Sequence, residues 1–117
     1  MKEAYLFQIL AAIRRDCQTF LPVKTSVISF DIILCIAKHH YSGQKLTVKE
    51  LYSLLPHSYS SVRYYYFELI EEGWLQHTYS DNDGRIKYVE PTIKLLEKLE
   101  DFAYHLDGIL KNESKKS

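Results

Sequence analysis

The side chains with the greatest chemical capacity are concentrated between residues 58 and 87. One segment with the apolar spacing of a helix contains Ser60, Ser61, Arg63 and Tyr64. Arg85 follows in a polar cluster further along the chain. Hydroxyl groups and a planar guanidinium hydrogen-bond well to phosphate oxygens and to the edges of bases. The segment is therefore suited to recognising a polar or anionic partner.

No catalytic or metal-binding pattern accompanies these residues. The sequence has no glycine-rich phosphate loop, no nucleophile with a base and an orienting group, and no closely spaced Cys/His quartet. Cys17 and Cys35 lie in apolar helical patterns and are expected to be small buried side chains, with a redox-sensing thiol pair as the alternative. Surface or capping roles are expected for the five histidines, His39, His40, His57, His77 and His105. The sequence thus predicts a protein that is not an enzyme and that needs no metal and no cofactor.

Length and composition predict one folded domain that holds these residues. The chain has 117 residues, 46% of them hydrophobic, with 4 Gly and 3 Pro, which excludes disordered and collagen-like architectures. No apolar run approaches the ~18 residues of a membrane span, and the N-terminal segment lacks a secretory pattern. We therefore expect a cytoplasmic protein, associated with the nucleoid if it binds DNA, with no membrane partner.

Apolar spacing predicts four helices before residue 74. The first occupies residues 2 to 21 and ends at Pro22, and the second is capped by Thr25 or Ser26, is apolar almost all round, and ends near Gly43. Thr47 and Glu50 form a capping box at the start of a short third helix that ends at Pro56. Ser58 caps the fourth helix, residues 58–72, whose apolar stripe is Val62, Tyr65, Tyr66, Leu69 and Ile70.

The pattern changes to a β-hairpin after Gly73. Residues 74–79 and 86–89 are rich in aromatic and β-branched side chains, and the turn formers of residues 80–85 separate them. A long amphipathic helix then follows over residues 92–111. The predicted organisation is an N-terminal dimerisation helix (1–22), a core of helices and hairpin (24–91), a C-terminal dimerisation helix (92–111) and a flexible tail (112–117).

Helix, short turn, helix and hairpin is the order of a winged helix-turn-helix, a mainly α fold with a β-hairpin wing. Local motifs agree with this order: Leu46–Leu51 opening the third helix, Ser60–Val62 in the fourth, Leu69–Leu75 before the hairpin, Asp83–Arg85 at its tip, and Val89–Thr92 before the last helix. On these motifs, residues 26–96 resemble the MarR-type transcriptional regulators. The chain departs from that family in having Leu95 where a Gly commonly stands, and in being shorter than most members.

Winged-helix geometry predicts the surface that would contact double-stranded DNA. A major groove about 12 Å wide admits one helix. The face of the fourth helix opposite its apolar stripe is expected to point toward the base edges. The expected DNA-binding residues are Ser60, Ser61, Arg63, Tyr64 and Phe67 on this helix, Arg85 and Lys87 on the wing (74–90), and Lys45 and Lys49 near the third helix. The resemblance implies that Arg85 enters the minor groove while Asp83 holds its guanidinium.

Both arginines also have a purely structural alternative. Arg63 could pair with Glu68 or Glu71, and Arg85 could form only a hairpin ion pair with Asp81 or Asp83. Residues 57–94 carry four Lys/Arg and six Asp/Glu, a net charge of −2, which disfavours contact with phosphates. A winged helix used for protein interaction, without direct DNA binding, is therefore the alternative function.

The terminal helices carry more apolar surface than a core of this size can cover. We expect the surplus to pair across a two-fold axis in a homodimer that binds an inverted-repeat operator, with Tyr5, Phe7, Tyr104 and His105 as candidate interface residues. The resemblance also implies a site for a small-molecule effector between the dimerisation helices and the DNA-binding part.

Overall fold

The computed structural model describes residues 2–24 and 26–116, with side chains described as far as residue 112. Its elements follow one another in this order: α1 (Lys2–Phe20), α2 (Val27–Tyr41), α3 (Val48–Leu54), α4 (Tyr59–Glu71), β1 (Leu75–Tyr79), β2 (Lys87–Pro91) and α5 (Ile93–Lys116). The predicted winged helix-turn-helix, five helices with one hairpin, is confirmed.

Side-chain caps fix where the helices begin. Ser26 accepts a hydrogen bond from the Ser29 amide at 3.1 Å, while Thr25, the other predicted cap, lies outside the described residues. At α3, the Glu50 amide donates to the Thr47 hydroxyl and the Thr47 amide donates to the Glu50 carboxylate, both at 3.0 Å. The predicted capping box is therefore confirmed.

The ends of α2 and α4 also agree with the sequence. Gly43 and Gly73 have φ of +71° and +80°, the left-handed conformation that residues other than glycine rarely adopt. The helix predicted over 58–72 spans Tyr59–Glu71, because Ser58 and Glu72 are its caps.

The core lies where α2, α3 and α4 meet the wing and the start of α5. Its most deeply buried side chains are Ile32, Ile33, Ile36, Leu51, Val62, Tyr66, Leu69 and Leu95. The helix α2, whose sequence is apolar almost all round, is buried over only part of its surface, since Val27 and Leu34 are 59% and 46% exposed.

The wing is an antiparallel pair in which Leu75 lies opposite Pro91 and Tyr79 lies opposite Lys87. The segment before α3 extends this hairpin: Thr47 bridges to Tyr88, and the Val89 amide donates to the Leu46 carbonyl at 2.9 Å. This contact was not predicted from the sequence. It ties the wing to the start of the helix-turn-helix.

The helix α5 begins at Ile93, after Thr92, whose hydroxyl donates to the Gly73 carbonyl at 2.7 Å and accepts from the Leu95 amide at 3.3 Å. It continues to Lys116 and so passes the predicted end at residue 111. The predicted flexibility of residues 112–117 stays a prediction.

The helices α1 and α5 pack against each other, and the chain measures 54 × 27 × 22 Å along its principal axes. Within residues 2–24 and 26–116, none of the helices combines the length and the apolar character that crossing a bilayer requires.

Candidate nucleic-acid interface

The helix α4 has one face in the core and one face in solvent. Val62, Tyr66 and Leu69 are at most 2% exposed and anchor the helix. The opposite face carries Ser60, Arg63, Tyr64 and Phe67, all exposed, with Tyr64 at 66% and Phe67 at 38%. The structure thus brings four of the predicted DNA-binding residues together on one outward surface, the α4 face.

Ser61, the fifth DNA-binding residue predicted on this helix, is less accessible to a ligand than the other four. It is half-buried, and its hydroxyl accepts a hydrogen bond from the Ser58 hydroxyl at 2.8 Å. Its amide donates to the same Ser58 oxygen at 3.3 Å. Ser61 therefore takes part in the N-terminal cap, and Ser60 is the serine whose side chain faces solvent.

Arg63 lies over an aromatic ring rather than beside a carboxylate. Its guanidinium carbon is 4.7 Å from the centre of the Phe67 ring, one helical turn along α4. Among the described residues it forms no ion pair, so the alternative pairing with Glu68 or Glu71 is wrong. A cation–π contact leaves the N–H groups at the edge of the guanidinium free to bond a ligand.

Lys24 offsets part of the acidic charge at the C-terminal end of α4. Its ammonium is 3.0 Å from the Glu68 carboxylate and 3.8 Å from that of Glu72, and these carboxylates raise the pKa of Lys24. Glu68 and Glu71 line the same shallow depression as Ser60, Arg63, Tyr64 and Phe67. The α4 face is therefore basic near Arg63 and acidic toward its C-terminal end, where Lys24 neutralises part of the acidic charge.

Arg85 stands at the wing tip with its side chain 92% exposed. Asp83 accepts from the Arg85 amide at 3.0 Å, from Nε at 3.1 Å and from Nη2 at 3.3 Å. These bonds hold the pKa of the Asp83 carboxyl below its ordinary value. The guanidinium is therefore oriented by Asp83 but remains open to solvent.

The three predicted lysine contacts are dispersed. Lys87 is half-buried on the wing surface that faces α4, and Lys45 lies 5.1 Å from the centre of the Tyr88 ring, on the other surface of the hairpin. Lys49 is exposed in the first turn of α3. The three lysines therefore lie at three different places, the two surfaces of the hairpin and the first turn of α3.

Two histidines have roles that the sequence reading did not assign. The His57 Nε2 lies 2.7 Å from the Asp31 carboxylate, linking the turn between α3 and α4 to the helix α2. The His77 ring on β1 is hydrogen-bonded to the Tyr66 hydroxyl of α4. The expectation of surface or capping roles is wrong for both. Strand alternation carried a signal for His77, which shares its face with the buried Leu75.

Both cysteines are free thiols. Cys17 is buried, as predicted, and Cys35 is half-buried, and burial raises the pKa of each thiol. Within the described part of the chain, no group of three or more His, Cys, Asp or Glu side chains could hold a metal ion.

Comparisons with known proteins identify the fold. No protein-family model and no curated protein sequence matches this chain. Among solved structures, it is similar to MepR of S. aureus bound to ethidium bromide (15% identity, 97% of this chain and 81% of that chain, TM-score 0.73). It is also similar to the transcriptional regulator Tm0710 from Thermotoga maritima (21% identity, 97% and 78%, TM-score 0.68) and to a Bacillus cereus protein described as a MarR-like transcription regulator (17% identity, 97% and 81%, TM-score 0.56). The chain therefore has the winged-helix fold of MarR-type regulators.

Proposed function

We propose that this chain is a sequence-specific regulator of transcription that binds double-stranded DNA, with α4 in the major groove and the wing toward the minor groove. The observation that carries the proposal is the α4 face: Ser60, Arg63, Tyr64 and Phe67 are exposed together on the helix that follows the turn of a winged helix-turn-helix. In this motif, the N-terminal residues of that helix read base edges.

Within the α4 face, Arg63 is the side chain best suited to reading sequence. An arginine fork pairs in a bidentate manner with O6 and N7 of guanine. Stacking on Phe67 limits the rotamers of Arg63 before DNA arrives, so less conformational entropy is lost on binding. Ser60 is placed to bond a phosphate or a base edge, and Tyr64 to meet a phosphate or a thymine methyl group.

The net charge of −2 over residues 57–94 remains the argument for a winged helix that binds protein instead. The ion pairs of Lys24 with Glu68 and Glu72 reduce that charge, and Lys24 lies outside the counted segment. These acidic residues also stand toward the C-terminal end of α4, away from the end that enters the groove. Their position supports DNA binding over the alternative.

Titration of duplex DNA over a series of salt concentrations tests this proposal. We expect a shallow dependence of affinity on salt, because few phosphates are neutralised by each subunit. Arg85→Ala should weaken binding about equally for all DNA sequences. It should also reduce the slope of log affinity against log salt by about one unit, because one cationic contact to the DNA is lost. Lys111→Ala is the matched control, since that residue pairs with Asp107 far along α5. Equal affinities for Arg85→Ala and wild type would remove Arg85 from the interface.

A homodimer on an inverted-repeat operator is part of this proposal, and the exposed apolar side chains of the terminal helices support it. Leu6, Phe7 and Leu10 on α1 and Tyr104 on α5 are between 54% and 79% exposed. Of the other candidate interface residues, Tyr5 is half-buried, and the His105 ring lies against the Phe20 ring of the same chain, with 4.4 Å between the ring centres. Sedimentation equilibrium should give a dimer mass that falls to a monomer mass for Phe7→Glu. A monomeric wild type would contradict the proposal.

A cleft between α1 and α2 is the candidate site for a small-molecule effector. It has a volume of about 300 Å³ and a mainly apolar lining that includes Ile13, Cys17 and Phe30. The cationic residues Arg14 and Lys24 also line it. This lining suits an apolar molecule with a negative group. The fluorescent anion 1-anilinonaphthalene-8-sulfonate should bind here and lose affinity in Arg14→Ala; unchanged binding by that variant would argue against the site.

A further inference from the structure

The contact between α4 and the wing includes a partly buried polar pair. Tyr66 is 1% exposed, and its hydroxyl is hydrogen-bonded to Nε2 of the half-buried His77, whose ring is stacked on the Tyr66 ring at 5.7 Å between centres. A buried hydroxyl without a partner is costly, so the native position of β1 is one in which His77 supplies that partner. The pair thus links the recognition helix directly to the first strand of the wing.

We propose that His77 is a positioning residue: by hydrogen-bonding the Tyr66 hydroxyl it sets the position of the wing relative to α4, so that DNA binding is strongest when His77 is neutral. This inference rests on the proposed function, since it concerns how α4 and Arg85 reach one duplex together. His77 itself lies on the side of the wing that contacts α4, and the proposal gives it no contact with DNA.

The surroundings of His77 favour its neutral form. Burial lowers the pKa of the His77 imidazole below its ordinary value, and the Lys87 ammonium, which belongs to β2, lowers it further. The hydroxyl of Tyr66 stays protonated, because burial, with Tyr52 and Tyr79 nearby, raises its pKa. In the tautomer with hydrogen on Nδ1, the neutral ring accepts a hydrogen bond at Nε2 from the Tyr66 hydroxyl.

Protonation of His77 reverses this arrangement. The imidazolium has no acceptor, so the Tyr66 hydroxyl would have to turn and accept instead, and a second cation would face Lys87. The other groups near the pair are Tyr52 of α3, Tyr79 of β1 and the cation Arg63 of α4, and none of them is a carboxylate that could offset the imidazolium charge. Because the pKa of His77 is lower in the folded chain, the contribution of the neutral pair is fully present above the ordinary histidine pKa of about 6.5 and is lost as the pH falls through the folded value.

The first test uses the free protein and does not depend on DNA binding. Titration of the His77 ring followed by NMR should give a lower pKa in the wild type than in Tyr66→Phe, which removes the hydroxyl and keeps the ring. Identical titration of His77 in the two proteins would overturn the proposed hydrogen-bond role, whatever the protein binds.

The second test measures affinity for a bound duplex at pH 7.5 and at a pH below the His77 pKa that the NMR titration gives. His77→Gln keeps an acceptor for Tyr66 but does not titrate, so it should match the wild type at the higher pH and bind about fivefold more tightly than the wild type at the lower pH, the factor of one hydrogen bond. The exposed His40→Gln is the matched control and should follow the wild-type pH profile. A His77→Gln profile that coincides with the wild type would overturn the proposal.

The third test asks whether the effect passes through the wing. At pH 7.5, Tyr66→Phe should weaken binding about fivefold in the wild-type background and much less in Arg85→Ala, because the hydrogen bond then positions a wing that lacks its DNA contact. Equal losses in the two backgrounds would show that Tyr66 acts otherwise. Absence of DNA binding by every folded variant would refute the proposed function, while the NMR titration would still decide the hydrogen bond.

Discussion

Leu51→Ala should lower the free energy of unfolding by about 2–5 kcal/mol, the range for truncating a fully buried leucine. Leu51 is 0% exposed and is the residue by which the short helix α3 enters the core. Its replacement removes apolar burial and leaves a cavity that the surrounding helices fill only in part. Because α3 has seven residues, packing rather than intrinsic helical stability holds it in place.

Leu54→Ala is the matched control for this prediction. It makes the same chemical change in the same helix, but Leu54 is 56% exposed, so surface truncation should cost no more than about 0.5 kcal/mol. Urea unfolding followed by circular dichroism measures both variants. Similar losses for the two would mean that α3 does not pack as described.

Arg63→Ala should weaken binding to the preferred duplex by about 1–3 kcal/mol and relax the sequence requirement at one base pair. The reason is the loss of a bidentate contact that no other exposed side chain of the α4 face can replace. The folded structure should be little affected, since Arg63 is exposed and forms no ion pair among the described residues. Fluorescence anisotropy with a set of duplexes that differ at single positions measures both effects.

Arg63→Lys separates geometry from charge. Lysine keeps the cation but lacks the planar fork, so part of the affinity should return while discrimination at the contacted base pair should not. Recovery of full specificity by lysine would indicate that Arg63 contacts a phosphate and reads no base.

The order of elements could be read from the sequence because the signals that set it are local. The Thr47–Glu50 capping box, the Ser58 cap and Gly73 fix the boundaries of α3 and α4 through groups within one turn of each other. The exposed α4 face followed from the spacing of Val62, Tyr66 and Leu69 in the same way.

Contacts between segments that are distant in the sequence could not be predicted from such local signals. Nothing local to His57 indicates Asp31, and nothing local to Glu68 indicates Lys24, since each pair forms only once α2 and its preceding loop have packed on the helix-turn-helix. The stacking of Arg63 on Phe67 is a local contact that was also not predicted. The two residues stand four apart on one helix, but carboxylates on the same helix were within reach of Arg63 as well, so spacing alone did not decide between these partners.

Selection of random-sequence duplexes by the purified protein, with Arg63→Ala run alongside, tests the central claim most directly. We expect enrichment of two inverted half-sites whose centres lie about one helical turn apart, with loss of preference at one position of each half-site in the variant. A folded dimer that enriches no sequence would contradict DNA recognition by α4 and would favour the protein-binding alternative.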